Sequence, residues 1–189
     1  MTQRLIYVVG PSGAGKDSVL QALRERWQGA PVAHWARRTI TRSVDAGGEQ
    51  HESVSESVFE NLLQSGRLAM SWQANGLHYG IRDTELAPLS LGHCVLVNGS
   101  RTYVGTVLRL WPEATLVHIT ASADLLLQRL KARQRESVQA ISDRLARRVD
   151  EDLPARAIRI ANDGPLESAV EMLHTALRLR LSIDPVCLR

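Results

Sequence analysis

Residues 5–18 read Leu-Ile-Tyr-Val-Val-Gly-Pro-Ser-Gly-Ala-Gly-Lys-Asp-Ser. The short apolar, β-branched run stops at Gly10, three glycines fall within six residues (Gly10, Gly13, Gly15), and a helical pattern begins at once. That succession predicts a buried strand, a tight loop and a helix N-terminus. The loop spells G-x-x-x-x-G-K, with Gly10, Gly15 and Lys16 in the required places. Glycine lets the backbone curl until successive N–H groups point inward at phosphate oxygens. The helix start adds partial positive charge, and Lys16 adds a full one where the β- and γ-phosphates of a nucleotide would lie.

One position departs from the usual pattern. A Ser or Thr normally follows the lysine and offers its hydroxyl to Mg²⁺; here Asp17 stands there, with Ser18 after it. A carboxylate is the stronger ligand for a hard cation, directly or through water. Two arrangements follow. Either Asp17 meets the metal, or Asp17 caps the helix and Ser18 serves the metal.

The chain has 189 residues and is 44% apolar, enough for one domain with a sizeable core. No apolar run is long enough to span a bilayer, and the N-terminal one has only buried-strand length, so neither a membrane segment nor a signal peptide is expected. Cys94 in an apolar strand and Cys187 in the tail suggest a reducing, cytoplasmic setting without a disulfide framework. The net charge is +3 and the pI about 9.2, but the arginines cluster at 37–42 and 129–148 and lack interleaved aromatics. That favours small polyanions over nucleic acid as partners.

Outward from the loop, Ser18–Trp27 is an amphipathic helix, and 32–40 reads as one extended segment delivering Arg37, Arg38, Thr41 and Arg42 to its end. Ser55 looks like an N-cap for a helix closed by Gly66. Leu68–Tyr79 reads as a strand pair around Asn75-Gly76. A short helix is expected over 83–91. His93–Val97 is a central strand ending in Asn98-Gly99-Ser100-Arg101, and Thr115–Thr120 another. Helices then follow from Ser122 and over 137–150, with a short strand at 157–161 and a last helix over 166–181. The alternation predicts an α/β fold, a parallel sheet wound with helices on both faces. The domain divides into a core (about 1–35, 82–128 and 155–183), an acceptor-binding insertion (about 36–81) and an Arg-rich helical lid (about 129–150).

Moving a phosphoryl group between two anions demands cations that screen their repulsion. Arg133, Arg144 and Arg148 are the lid residues suited to this, with Arg129 read as facing outward. Arg38 and Arg42 stand at a strand end, where such sheets bind ligands, and arginine forks grip phosphate in bidentate fashion. Glu49 and His51 lie in the loop beyond. Taken alone, a loop Glu and His are more often ordinary surface residues.

On these residues the chain resembles the guanylate kinase-like branch of the P-loop nucleoside monophosphate kinases. Within it, the chain is similar to the ribose 1,5-bisphosphate phosphokinase family. The resemblance spans essentially the whole chain and rests on residues 10–18, Ile-Thr-Arg (40–42), Gly-Glu-Gln-His (48–51), residues 71–80, Val-Leu-Val-Asn-Gly-Ser-Arg (95–101) and Asn-Asp-Gly (162–164). It implies a kinase using ATP and Mg²⁺ to form 5-phosphoribosyl 1-diphosphate (PRPP) from ribose 1,5-bisphosphate, in the context of phosphonate metabolism. ATP would lie on Gly10, Pro11, Ser12, Gly13, Ala14, Gly15, Lys16, Asp17 and Ser18, with Asn162 and Asp163 beside the adenine. The acceptor would meet Arg38, Thr41, Arg42, Glu49, His51, Tyr79, Asn98 and Arg101. The resemblance also implies a monomer or homodimer.

The departures from guanylate kinases bear on the acceptor. Those enzymes read guanine with a Glu where Met70 stands and a Ser where Ile81 stands. They also carry an acidic residue at the end of the Val97-Asn98 strand, a place Asp17 would fill. Met70 and Ile81 have no polar atoms for a base edge, and burying such edges unpaired costs selectivity on the order of 10⁴. Three rival readings are a guanylate kinase, another small-molecule phosphate kinase, and a catalytically silent guanylate kinase-like interaction module. The last usually has a degraded phosphate loop, unlike the intact one here.

Overall fold

Leu5–Val9 forms strand β1, and all five side chains are buried, as an apolar run covered on both faces requires. The computed structural model describes residues 4–28, 33–43, 50–132 and 153–181; the expected helix over 137–150 lies outside them. The chain divides into two compact units, Met1–Ile6 with Pro31–Ala114, and Tyr7–Ala30 with Thr115–Arg189. Strand β1 contributes its first residues to one and its last three to the other.

In the first unit the sheet order is β2-β7-β1, where β2 is Ala33–Trp35 and β7 Cys94–Asn98. Strands β2 and β7 run parallel, with His34 opposite Val95. A second sheet of four strands has the order β4-β3-β6-β5: β3 is Arg38–Ile40, β4 Glu52–Ser53, β5 Leu68–Ala74 and β6 Leu77–Arg82. Strands β5 and β6 make the hairpin expected from Asn75-Gly76, whose φ angles of 52° and 72° are those a two-residue turn needs. Helix α2, Glu56–Gln64, is capped by Ser55, whose side chain accepts from the Val58 N–H, and it buries Phe59. Helix α3, Asp83–Leu86, passes into a 3₁₀ turn at Ala87–Leu91 that contains Pro88, and α4 is Val104–Leu110.

The segment over 32–40 is not one strand. It splits into β2 and β3, which belong to different sheets. The break has a cause outside the segment. The Glu85 carboxylate takes the backbone N–H of Arg37 at 3.0 Å and also bonds His34 Nε2 at 2.7 Å, so that N–H is unavailable to a strand ladder.

In the second unit the order is β1-β8-β9, with β8 at Thr115–Thr120 and β9 at Ile158–Ala161. These two run parallel, from Val117 opposite Ile158 to Thr120 opposite Ala161. The helices are α1 (Lys16–Arg26), α5 (Ala123–Ala132) and α6 (Leu166–Leu181). Helix α1 buries Val19, Leu20 and Leu23, and α6 buries Val170, Leu173 and Leu177. Between them the Trp27 indole N–H donates to His174 Nδ1 at 2.8 Å, and an exposed Arg26–Glu171 ion pair closes the rim. Among the described residues, no helix is long and apolar enough to cross a membrane.

Burial, helped by nearby Arg26, pushes His174 below the ordinary histidine value of 6.5. The neutral ring is also the one that accepts from Trp27. Because the unfolded chain takes the proton more readily, this stabilisation is complete above pH 6.5 and is lost as the pH falls below it. Thermal unfolding between pH 7.5 and 5.5 should therefore show a falling midpoint, and His174→Gln should flatten that part of the profile.

Candidate active site

Strand β1 delivers the phosphate loop at its carboxyl end. A Cβ on Gly10 would land on the Ile119 carbonyl oxygen of β8, so only glycine lets the strand turn there. Gly15, at φ +81°, is the N-cap of α1. A Cβ on it would collide with the side-chain amide of Asn162. The Lys16 ammonium donates to the carbonyls of Gly10 at 2.8 Å and Pro11 at 3.1 Å, which lays it across the loop. Asp17 and Ser18 stand exposed on the first turn of α1.

Two further segments close on this loop. Asn162, just past β9 and only 4% exposed, donates its Nδ2 to the Ala14 carbonyl at 2.8 Å. Asp163 is exposed, and its carboxylate accepts the Ser122 N–H at 2.6 Å, which ties the post-β9 turn to the start of α5. On α5, Leu130 would meet a Cβ on Gly13 at 3.2 Å. Arg129 does not face outward. Its guanidinium reaches the Gly13 carbonyl at 3.5 Å and the Asn162 carbonyl at 3.0 Å.

The first unit carries the described residues expected to meet the acceptor. Arg38 lies over the Tyr79 ring, 5.3 Å from its centroid; Tyr79 stacks on Trp72 at 5.8 Å and 3°, and Trp72 meets Tyr103 at 5.9 Å. This column fixes the guanidinium through its attraction to the ring face. Thr41 is knitted to His78 by two bonds, its N–H to the His78 carbonyl at 3.1 Å and its hydroxyl oxygen accepting the His78 N–H at 3.0 Å. The hydroxyl proton remains able to donate. His51 and Arg42 hold each other: Arg42 Nη2 approaches His51 Nδ1 at 3.4 Å, and His51 Nε2 approaches the Arg42 carbonyl at 3.2 Å. Both contacts are satisfied by a neutral ring with its proton on Nε2. Asn98 is buried at the carboxyl end of β7, and Arg101 opens the 3₁₀ turn that follows.

Met70 and Ile81 are 1% and 0% exposed, and they are paired across β5 and β6. Both side chains are packed away from solvent. Glu49, Arg133, Arg144 and Arg148 lie outside the described residues. Among the described residues, no group of three or more His, Cys, Asp or Glu could hold a metal ion.

No protein-family model matches the chain. Individual relatives do. It is 43% identical over 179 residues to the ribose 1,5-bisphosphate phosphokinase of Pseudomonas paraeruginosa, covering 92% of this chain and 94% of that one. To the enzyme of the same name in Azotobacter vinelandii it is 42% identical over 181 residues, covering 95% and 98%. A Janthinobacterium protein of that name is 45% identical over 178 residues, 93% of this chain; this chain spans only 39% of that longer protein. The chain belongs to the ribose 1,5-bisphosphate phosphokinase family. The fold of this family member is similar to that of guanylate kinase from Anaplasma phagocytophilum, with a TM-score of 0.70, 15% identity, and coverage of 100% of this chain and 90% of that one.

Two features of this ribose 1,5-bisphosphate phosphokinase family member escape a reading of the residues alone. The position of Arg129 was legible in principle. It lies three residues after Leu126 and one before Leu130, both buried, so helical spacing puts it on the loop-facing side; its place in an arginine-rich run hides this. The second is Glu52, a carboxylate in no motif. It accepts from Arg82 at 2.7 and 2.6 Å and from the Thr39 hydroxyl at 2.8 Å, clamping β4 and β6 to β3 on the strand next to His51. The Arg82 hydrogen bonds hold the Glu52 carboxyl below the usual carboxylate range.

Glu52→Gln should lower the thermal midpoint at pH 7 by a few degrees, from a loss of about 1–2 kcal/mol at about 2–4 °C each. The wild-type advantage should be complete above pH 4.5, the ordinary glutamate value, and should shrink as the pH falls through the lower folded value.

Proposed function

We propose that this chain transfers the γ-phosphoryl group of ATP to the 1-phosphate of ribose 1,5-bisphosphate, giving PRPP and ADP. Membership of the family whose relatives carry that substrate in their names supports the reading. The intact loop with its lysine supports catalysis over a silent binding module. The single structural observation that carries the acceptor choice is the burial of Met70 and Ile81, apolar side chains that offer a guanine edge no strong hydrogen-bonding partner.

In the reaction, an oxygen of the acceptor's 1-phosphate forms a bond to the γ-phosphorus while the bond from that phosphorus to the β,γ-bridging oxygen breaks, leaving the electron pair on ADP. The attacking oxygen belongs to a phosphate monoester that is ionised near pH 7, so no general base is assigned. Catalysis is positioning plus charge neutralisation. The loop amides and Lys16 hold the β- and γ-phosphates. Arg38, Thr41, Arg42 and His51 bind the acceptor phosphates; Glu49, Tyr79, Asn98 and Arg101 bind the sugar and its esters. Arg133, Arg144 and Arg148 supply lid cations.

Asp17 and Ser18 suit Mg²⁺. Both are hard oxygen donors exposed beside the loop. A cation that keeps several waters and takes phosphate oxygens needs no more than one or two protein ligands. When bound, Mg²⁺ neutralises charge developing between the β- and γ-phosphates. The substrates are small and soluble, and we assign the work to the cytoplasm.

Phosphorus NMR after incubation with ATP, Mg²⁺ and ribose 1,5-bisphosphate should show a new diphosphate on C1 together with ADP. GMP in place of the sugar should release ADP at under about a hundredth of that rate. Lys16→Met should reduce turnover by about 10²–10³-fold with the circular dichroism spectrum unchanged. GMP acting as the better acceptor would overturn the assignment.

A further inference from the structure

We propose that Asn162 is a positioning residue that sets the geometry of the phosphate loop, and that it acts on the phosphates of the nucleotide instead of on its base. This deepens the kinase reading above and rests on it.

Backbone N–H groups converge on an anion only if the carbonyls of the same peptides turn away from it. Each carbonyl turned away into the protein needs a donor. In this loop the donors are present. Lys16 serves the Gly10 and Pro11 carbonyls, Arg129 reaches Gly13, and Asn162 takes Ala14 through a buried bond of 2.8 Å.

Asn162 is itself held at both backbone polar groups and at its side-chain nitrogen. Its N–H donates to the Thr120 carbonyl at 2.8 Å, its own carbonyl accepts from Arg129 at 3.0 Å, and its Nδ2 is committed to Ala14. At 4% exposure it has almost no surface to offer a ligand. The amide also occupies the space where a side chain at residue 15 would lie, so the glycine of the motif and this asparagine form one packed unit. Turning the amide so that the N–H on Ala14 meets adenine would break a buried hydrogen bond and leave the Ala14 carbonyl without that donor, which is costly. Residues 162 and 14 are far apart in sequence, yet the turn after β9 governs the loop after β1.

The test separates a loop brace from a base contact by using a ligand with no base. Wild type, Asn162→Ala and the nearly isosteric Asn162→Asp are titrated calorimetrically with ATP and with inorganic tripolyphosphate, both with Mg²⁺. Affinity for both ligands should fall by a similar factor, about tenfold, while the KM for the acceptor stays unchanged. A variant that loses ATP affinity but keeps that for tripolyphosphate would make Asn162 a base contact and overturn the proposal. So would variants that bind both as wild type does. If wild type bound neither ligand, the kinase reading itself would fail, a distinguishable outcome. Should both variants fail to fold, the unaltered protein still decides. The Asn162 side-chain amide protons should exchange slowly and should shift with tripolyphosphate but not with adenosine; rapid exchange, or a response to adenosine alone, would overturn the proposal.

Discussion

A backbone can hold a multiply charged anion only where its amides and carbonyls are sorted to opposite sides, and the second unit of this protein is arranged around that requirement. The sorting begins with β1, whose burial on both faces brings the chain to Gly10 in a fixed direction. Close approach to β8 at Ile119 then forces the turn. The loop that follows is shaped from outside by residues distant in sequence. Leu130 presses on Gly13, Arg129 lies against the Gly13 and Asn162 carbonyls, and Asn162 holds Ala14. Parallel strands place the turns after β1 and β9 at carboxyl ends, where α/β sheets bind ligands.

In the first unit two arginines are steadied by aromatic rings. The Arg38 guanidinium lies over the face of Tyr79, which attracts it. Arg42 is paired with a histidine whose contacts suit the neutral form. Glu52 is engaged by Arg82 and Thr39. In the proposed reaction, Arg38 and Arg42 supply the positive charge that two phosphate esters on one sugar demand.

Much of this was legible from local signals. The strand–loop–helix at 5–18, the Asn75-Gly76 hairpin, the Ser55 cap and the terminal helix over 166–181 are each specified by neighbouring residues, and the structure has them where expected. What local signals could not carry was long-range. Nothing within 32–40 shows that Glu85 will take the Arg37 N–H and divide the segment between two sheets. Strand β4 is too short for periodicity to register, and β3 reads as the end of one longer extended segment, so of the four-stranded sheet only the hairpin was expected as such. Asn162 was read through family likeness as lying beside adenine; its hydrogen bond to Ala14 depends on where β9 ends, which no window around residue 162 contains.

The stack of Trp72 on Tyr79 has a practical side. Its indole sits two steps from the Arg38 guanidinium, in the unit that carries the residues proposed to meet the acceptor, while Trp27 is locked to His174 in the unit that carries the loop. Indole emission responds to charge and to neighbouring rings, so each unit holds its own intrinsic fluorophore. The first unit also holds Trp35 and Trp111, so variants that keep Trp27 alone or Trp72 alone would give separate optical reporters for the two units, with no dye attached to either.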